Sequence, residues 1–151
     1  MQTLTTLLEQ AESQRNVALA AFNQARARRD SARDQARDLD TYRSDYQHRW
    51  NQQFRSRAAT PDIVRCYQQF AERLELAIAQ QAQAVEVTEQ ALTRAGETLS
   101  AHELRVASVR KLIERRQHEA RRGADRREQA ANDEMAQRVA ARRAAMEGTP
   151  P

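Results

Sequence analysis

The residues with the widest chemical reach in this chain are three histidines, His48, His102 and His118, and one cysteine, Cys66. Metal ligands recur at short, regular spacings that bring their donor atoms to one point. These four are far apart in the chain and share no such spacing, so no metal is expected. His102 falls on an apolar stripe described below, where a partly buried, hydrogen-bonded imidazole is the expectation. Phosphate-cradling loops need clustered glycines, and Gly96, Gly123 and Gly148 are isolated. The carboxylates are scattered at helix-surface spacings, with no concave site in prospect to raise a pKa for acid–base work. The chain reads as a non-enzyme, with no cofactor and no small-molecule substrate.

The basic residues have more to say. Arg110-Lys111, Arg115-Arg116, Arg121-Arg122 and Arg126-Arg127 recur every five or six residues, a spacing that winds around a helix instead of lining one face. Such a segment is either a solvated helix or a surface for an acidic protein partner. Nucleic acid would also accept the charge, but no aromatic or base-reading residues are interleaved with it. A basic coiled coil that binds nucleic acid therefore stands only as an alternative.

A second cluster lies mid-chain. Gln35, Leu39, Tyr42 and Tyr46 are spaced four, three and four residues apart, and Phe70, Leu74, Ala77 and Gln81 repeat those steps. If the chain reverses between them, the two sets face each other. Two helices alone are not expected to cover two tyrosines, a phenylalanine and Trp50, so part of this surface should await a partner.

The elements that would position these groups follow from apolar spacing. Leu4, Ala11, Ala18, Ala25, Ala32, Leu39 and Tyr46 lie seven apart and are all apolar or aromatic. A patchier companion stripe holds Leu7, Leu8, Ala21, Phe22, Ala36, Tyr42 and Trp50, interrupted by Gln14, Arg28 and Arg49. Val64, Ala71, Ile78, Val85, Leu92, Leu99, Val106, Ile113 and Ala120 form a second, unbroken heptad series, flanked by Tyr67, Leu74, Ala95 and Val109. A sustained repeat of seven predicts a coiled-coil helix. Between the two series stands Pro61, which cannot continue a helix begun upstream but suits the first position of a new one. Thr60 before it is a good N-cap, and Asp62 places negative charge at the positive end of the helix dipole. The expected architecture is all-α: a long antiparallel two-helix coiled coil, with a first helix over 4–57, a turn over 58–62 and a second helix over 62–147. Residues 117–147 should overhang the hairpin, with Arg121-Arg122-Gly123 a weak point. Gly96 is expected to face solvent.

Bulk composition agrees. Charged residues make up 30 % of the chain and aromatics 5 %, which leaves too few large apolar side chains for a thick core but enough for a narrow seam. The formal charge is +3 over residues 1–57, −4 over 58–104 and +5 over 105–151, so an acidic middle joins a basic tail. The single cysteine rules out an internal disulfide and fits a reducing compartment. No signal peptide is expected at Met1–Glu9, and no apolar run is long enough to span a bilayer. A cytoplasmic protein is the expectation.

The Gln-x3-Leu-x2-Tyr-x3-Tyr step from Gln35 to Tyr46, a short break, then Phe-x3-Leu-x2-Ala-x3-Gln from Phe70 to Gln81 resembles the FliJ family of flagellar export proteins. So do the length, the Leu-x2-Leu start at Leu4 and Leu7, and the Arg/Glu-rich end. The resemblance implies a coiled coil like the stalk of rotary ATPases and a chaperone-like part in flagellar type III protein export, and hence in motility. It implies three partners: the hexameric flagellar export ATPase, the cytoplasmic part of the membrane export gate, and export chaperones. Such a protein would associate peripherally with the inner-membrane export apparatus. By position, Gln35, Leu39, Tyr42, Tyr46, Phe70, Leu74, Ala77 and Gln81 would form the export-gate patch. Gln81 departs from members with histidine there. The free ends of the hairpin would enter the ATPase ring, with Leu4, Leu7, Leu8, Arg110, Lys111, Arg115, Arg116, Arg121, Arg122, Arg126 and Arg127 in contact. The equivalent stalk of a virulence-type secretion system is the nearest alternative.

Overall fold

A computed structural model of the chain describes residues 1–56 and 60–148. Two long helices account for nearly all of them: α1, Gln2–Ser56, and α2, Pro61–Glu147. No strand occurs among the described residues, and α1 and α2 pack against each other as an antiparallel helical hairpin. Their interiors hold few helix-breaking residues, so alanine, glutamine, arginine and glutamate can run without interruption. Of the expected turn at 58–62, Ala58 and Ala59 lie outside the described residues. Thr60 caps α2: the Ile63 N–H donates to its hydroxyl at 3.4 Å, and the Val64 N–H donates to its carbonyl at 3.1 Å. Pro61 then takes the first helical position, with Asp62 in the first turn.

The chain divides into two compact units, Ala11–Leu104 and a second that joins Met1–Gln10 to the residues from Arg105 onward. In the first unit the heptad series of α1 is covered throughout: Ala11, Ala18 and Ala32 are buried, and Ala25, Leu39 and Tyr46 are half-buried. Opposite them Val64, Ala71, Ile78, Val85 and Leu92 are half-buried, and Leu74 and Leu99 are buried. Alanines on one helix let the partner approach closely, while leucines and valines supply the area removed from water.

The companion stripe of α1 differs from expectation. Ala21 and Tyr42 are exposed, as are Gln14, Arg28 and Arg49, and the covered positions are Arg15, Phe22, Arg29, Ala36, Arg43 and Trp50. An arginine thus recurs every fourteen residues along the edge of the seam. Its aliphatic stem covers apolar surface while its head stays wet. Arg43 donates to both Glu75 carboxylate oxygens at 3.2 Å and to Asp40 at 3.0 Å. Ten residues upstream, Arg33 donates to Glu89 at 2.6 and 3.0 Å. These pairs are well exposed, so each is worth at most about 1 kcal/mol, and they serve register more than stability. Within α1 itself Arg29 meets Asp30, and Arg37 meets Asp34.

Gly96 corrects a second expectation. It is half-buried and faces Phe22: a Cβ built there would stand 3.5 Å from Phe22 Cε2.

In the second unit Leu4, Leu7 and Leu8 are half-buried, Val106 and Val109 are buried, and Ile113 is half-buried. Beyond Ile113 every described residue is exposed except Gly123. Ala120, expected on the apolar stripe, is among the exposed ones, because by itself one methyl group gives a helix little reason to turn that face inward. α2 runs without a break through Gly123, whose φ is not positive.

Candidate partner-binding surfaces

Six of the seven aromatic side chains, all but Phe22, gather where α1 and α2 approach their connected ends. Tyr42, Tyr46, Trp50 and Phe54 recur every four residues on α1, which places them along one face. Tyr67 and Phe70 reach across from α2. The Tyr46 ring is 4.6 Å from Phe70 and stacks on Tyr67 at 5.3 Å, and Trp50 stacks on Tyr67 at 4.5 Å. Phe54 meets Trp50 edge-on at 4.8 Å. Tyr42 closes the other end, 6.4 Å from Tyr46 and edge-on to Phe70 at 6.1 Å. Each such ring pair contributes about 0.5–1.5 kcal/mol beyond the area it buries.

Two groups in this ladder are electrostatically marked. Burial pushes the Tyr46 phenol above its ordinary range, and the neighbouring Tyr67, Tyr42 and Cys66 push the same way. Trp50 is buried, and its indole N–H finds no hydrogen-bond acceptor among the described residues. Leaving such a donor unsatisfied costs about 1–3 kcal/mol.

Of the eight residues read from sequence as an export-gate patch, Tyr42, Tyr46 and Phe70 meet here, and the hairpin itself covers most of the set. Leu74 is buried, and Leu39, Tyr46, Phe70, Ala77 and Gln81 are half-buried; only Gln35 and Tyr42 are exposed. Gln81 donates from Nε2 to the carbonyl of Ala32 at 2.9 Å, so its amide joins α2 to α1. Trp50 is covered, because Tyr67 lies flat against it, whereas Tyr42 stays half exposed, so the two helices leave part of the cluster open. The antiparallel register puts Tyr46 against Tyr67 and Phe70. Tyr67 and Phe54 had no place in the predicted patch. The signal for Phe54 was its position four residues after Trp50.

The residues read as ATPase-facing lie in the second unit. Leu4, Leu7 and Leu8 are half-buried, whereas Arg110, Lys111, Arg115, Arg116, Arg121, Arg122, Arg126 and Arg127 are all exposed. Arg126 and Arg127 lay their guanidinium Nε on the carbonyls of Arg122 and Gly123, each at 3.3 Å, one turn back. The remainder of α2 carries exposed Met135, Val139 and Met146. In the first unit a shallow groove is lined by Val17, Ala18, Ala21, Thr98 and His102. His102 is half-buried there, as expected, but shows no hydrogen bond to a described residue. No group of three or more His, Cys, Asp or Glu among the described residues is placed to hold a metal, and none of the described helices is long and apolar enough to cross a membrane.

No curated protein and no solved structure matches the chain. A family model does: that of the flagellar FliJ protein, over residues 1–145. The match takes in both helices, the aromatic ladder and the arginine pairs of α2. The chain belongs to the flagellar FliJ family, and with it to the components of flagellar protein export.

Proposed function

We propose that this chain is a cytoplasmic stalk of the flagellar export apparatus, coupling the export ATPase ring to the cytoplasmic part of the membrane export gate and receiving export chaperones. The observation that carries this reading is the family match over residues 1–145, on a chain that folds as a helical hairpin. Its action is mechanical and allosteric, with no chemistry of its own. The exposed arginine pairs between Arg110 and Arg127, with Leu4, Leu7 and Leu8, face the ATPase. The exposed edge of the aromatic ladder, Tyr42 with Gln35, faces the gate, and the other six residues of that patch hold this edge in place.

The direct test is nucleotide hydrolysis by the cognate flagellar ATPase with and without the purified chain. Stimulation that saturates below one chain per ATPase subunit is the expected result. No stimulation at any ratio would remove the stalk reading while leaving family membership untouched.

A further inference from the structure

The distal part of α2 carries a charge order that the export reading does not use. From Glu128 to Glu134 the sequence holds the carboxylates Glu128, Asp133 and Glu134 and no base. From Arg138 to Arg143 it holds the arginines Arg138, Arg142 and Arg143 and no acid. An apolar face runs through both blocks. Asn132, Met135, Ala136, Val139, Ala140 and Arg143 border one shallow surface along the helix, as steps of three and four residues require. Met135 is 66 % exposed and Val139 49 % exposed. Arg138 turns back on Glu134 at 3.0 Å, whereas Asp133, Arg142 and Arg143 form no ion pair with a described residue.

We propose that this face pairs with the same face of a second copy, antiparallel to it, in a two-fold symmetric dimer. The order of the charges selects both the occupant and the direction. A parallel copy would lay carboxylates beside carboxylates and arginines beside arginines. Turned end for end, the second helix brings its arginine block to the carboxylate block of the first, and the two-fold axis repeats the match. With the axis between Gln137 and Arg138, Asp133 lies opposite Arg142 of the second copy and Asn132 opposite Arg143. Val139 then meets Ala136 and Met135 meets Ala140, so each large apolar side chain faces a small one. The match ends where Glu128 would meet Glu147, which limits the paired length to residues 131–144. That falls short of a standard interface, so the dimer is weak and sensitive to concentration and salt. The face begins beyond Arg127, the last arginine given to the ATPase, and this inference does not depend on the stalk reading.

The full-length chain would be followed by sedimentation equilibrium at low salt. A shift from the 17.3 kDa chain toward twice that mass as concentration rises is expected, and added salt should reverse it. D133R/E134R makes the paired length wholly basic, and R142E/R143E makes it predominantly acidic. Each variant alone should dimerise about ten-fold or more weakly, because every pair lost is lost twice across the axis. Mixed in equal amounts, the two should form a heterodimer, since each carries the charge that the other lacks. Circular dichroism would establish that both variants remain helical. A single monomeric species up to about 1 mM would overturn the proposal and leave the face to an unlike partner. Dimers that persist in both reversal variants would overturn it too, by placing self-association on another surface. So would reversal variants that stay monomeric when mixed.

Discussion

Tyr42 and Tyr46 are one helical turn apart, yet they do different work. Tyr46 is half-buried against Tyr67 and Phe70 and carries a phenol shifted by desolvation, whereas Tyr42 leaves half of its surface in water. Truncating Tyr46 removes three ring contacts from a thin seam, so Tyr46→Ala should cost about 2–3 kcal/mol in urea unfolding. Tyr42→Ala should cost roughly 1 kcal/mol or less, because half of that ring is already in water. Binding to the cytoplasmic part of the export gate should follow the opposite order. Measured at a temperature where both variants are folded, Tyr42→Ala should weaken it about ten-fold or more, the scale of an exposed aromatic anchor. Gate affinity that tracks stability in both variants would show that Tyr42 is only packing. The same contrast explains why the patch was only half legible beforehand. Spacing picks out eight candidate positions, but it does not tell which of them the second helix will cover.

On the scale of the helices, alanine spacing identified the α1 seam because three of its seven members are buried and none is exposed. The companion stripe departs from its apolar spacing because Arg15, Arg29 and Arg43 line the seam edge, while Ala21 and Tyr42 are exposed. A long arginine stem can occupy a seam edge and still hydrate its head, and a binary apolar–polar reading has no symbol for that. Ala120 failed for the reverse reason, since alanine is equally at home on either face of a helix. Gly96 was given to solvent although it lies one residue after Ala95 of the seam, and its neighbour across the pair is the Phe22 ring. The distance there decides the effect of adding a methyl group. At 3.5 and 3.8 Å a Cβ would make ordinary contact with Phe22 Cε2 and Cδ2, and the backbone needs no positive φ. Gly96→Ala should therefore gain about 1 kcal/mol of helix propensity, raising the thermal midpoint by about 3 °C. A lower midpoint would mean that Phe22 has no room to yield.

At the level of the whole chain, stability and function should come apart along α2. The apolar residues that the second unit covers are Leu4, Leu7, Leu8, Val106, Val109 and Ile113, and beyond Ile113 only Gly123 escapes full exposure. A chain ended after Arg116 keeps every one of those six. It gives up long exposed side chains whose surface ion pairs, such as Arg138 with Glu134, contribute only a few tenths of a kcal/mol each. Its thermal midpoint should therefore stay where it is, and its helical signal should fall in proportion to the residues removed. Stimulation of the export ATPase should nevertheless drop to a small fraction, because Arg121, Arg122, Arg126 and Arg127 leave with the segment. Ending the chain after Arg105 instead would remove Val106, Val109 and Ile113, and that variant should lose stability as well. If the first truncation lowers the midpoint as much as the second, the distal part of α2 is holding the fold together. If the first truncation stimulates fully, the ATPase contact lies in Leu4, Leu7 and Leu8 with Arg110 to Arg116, and the four distal arginines serve some other surface.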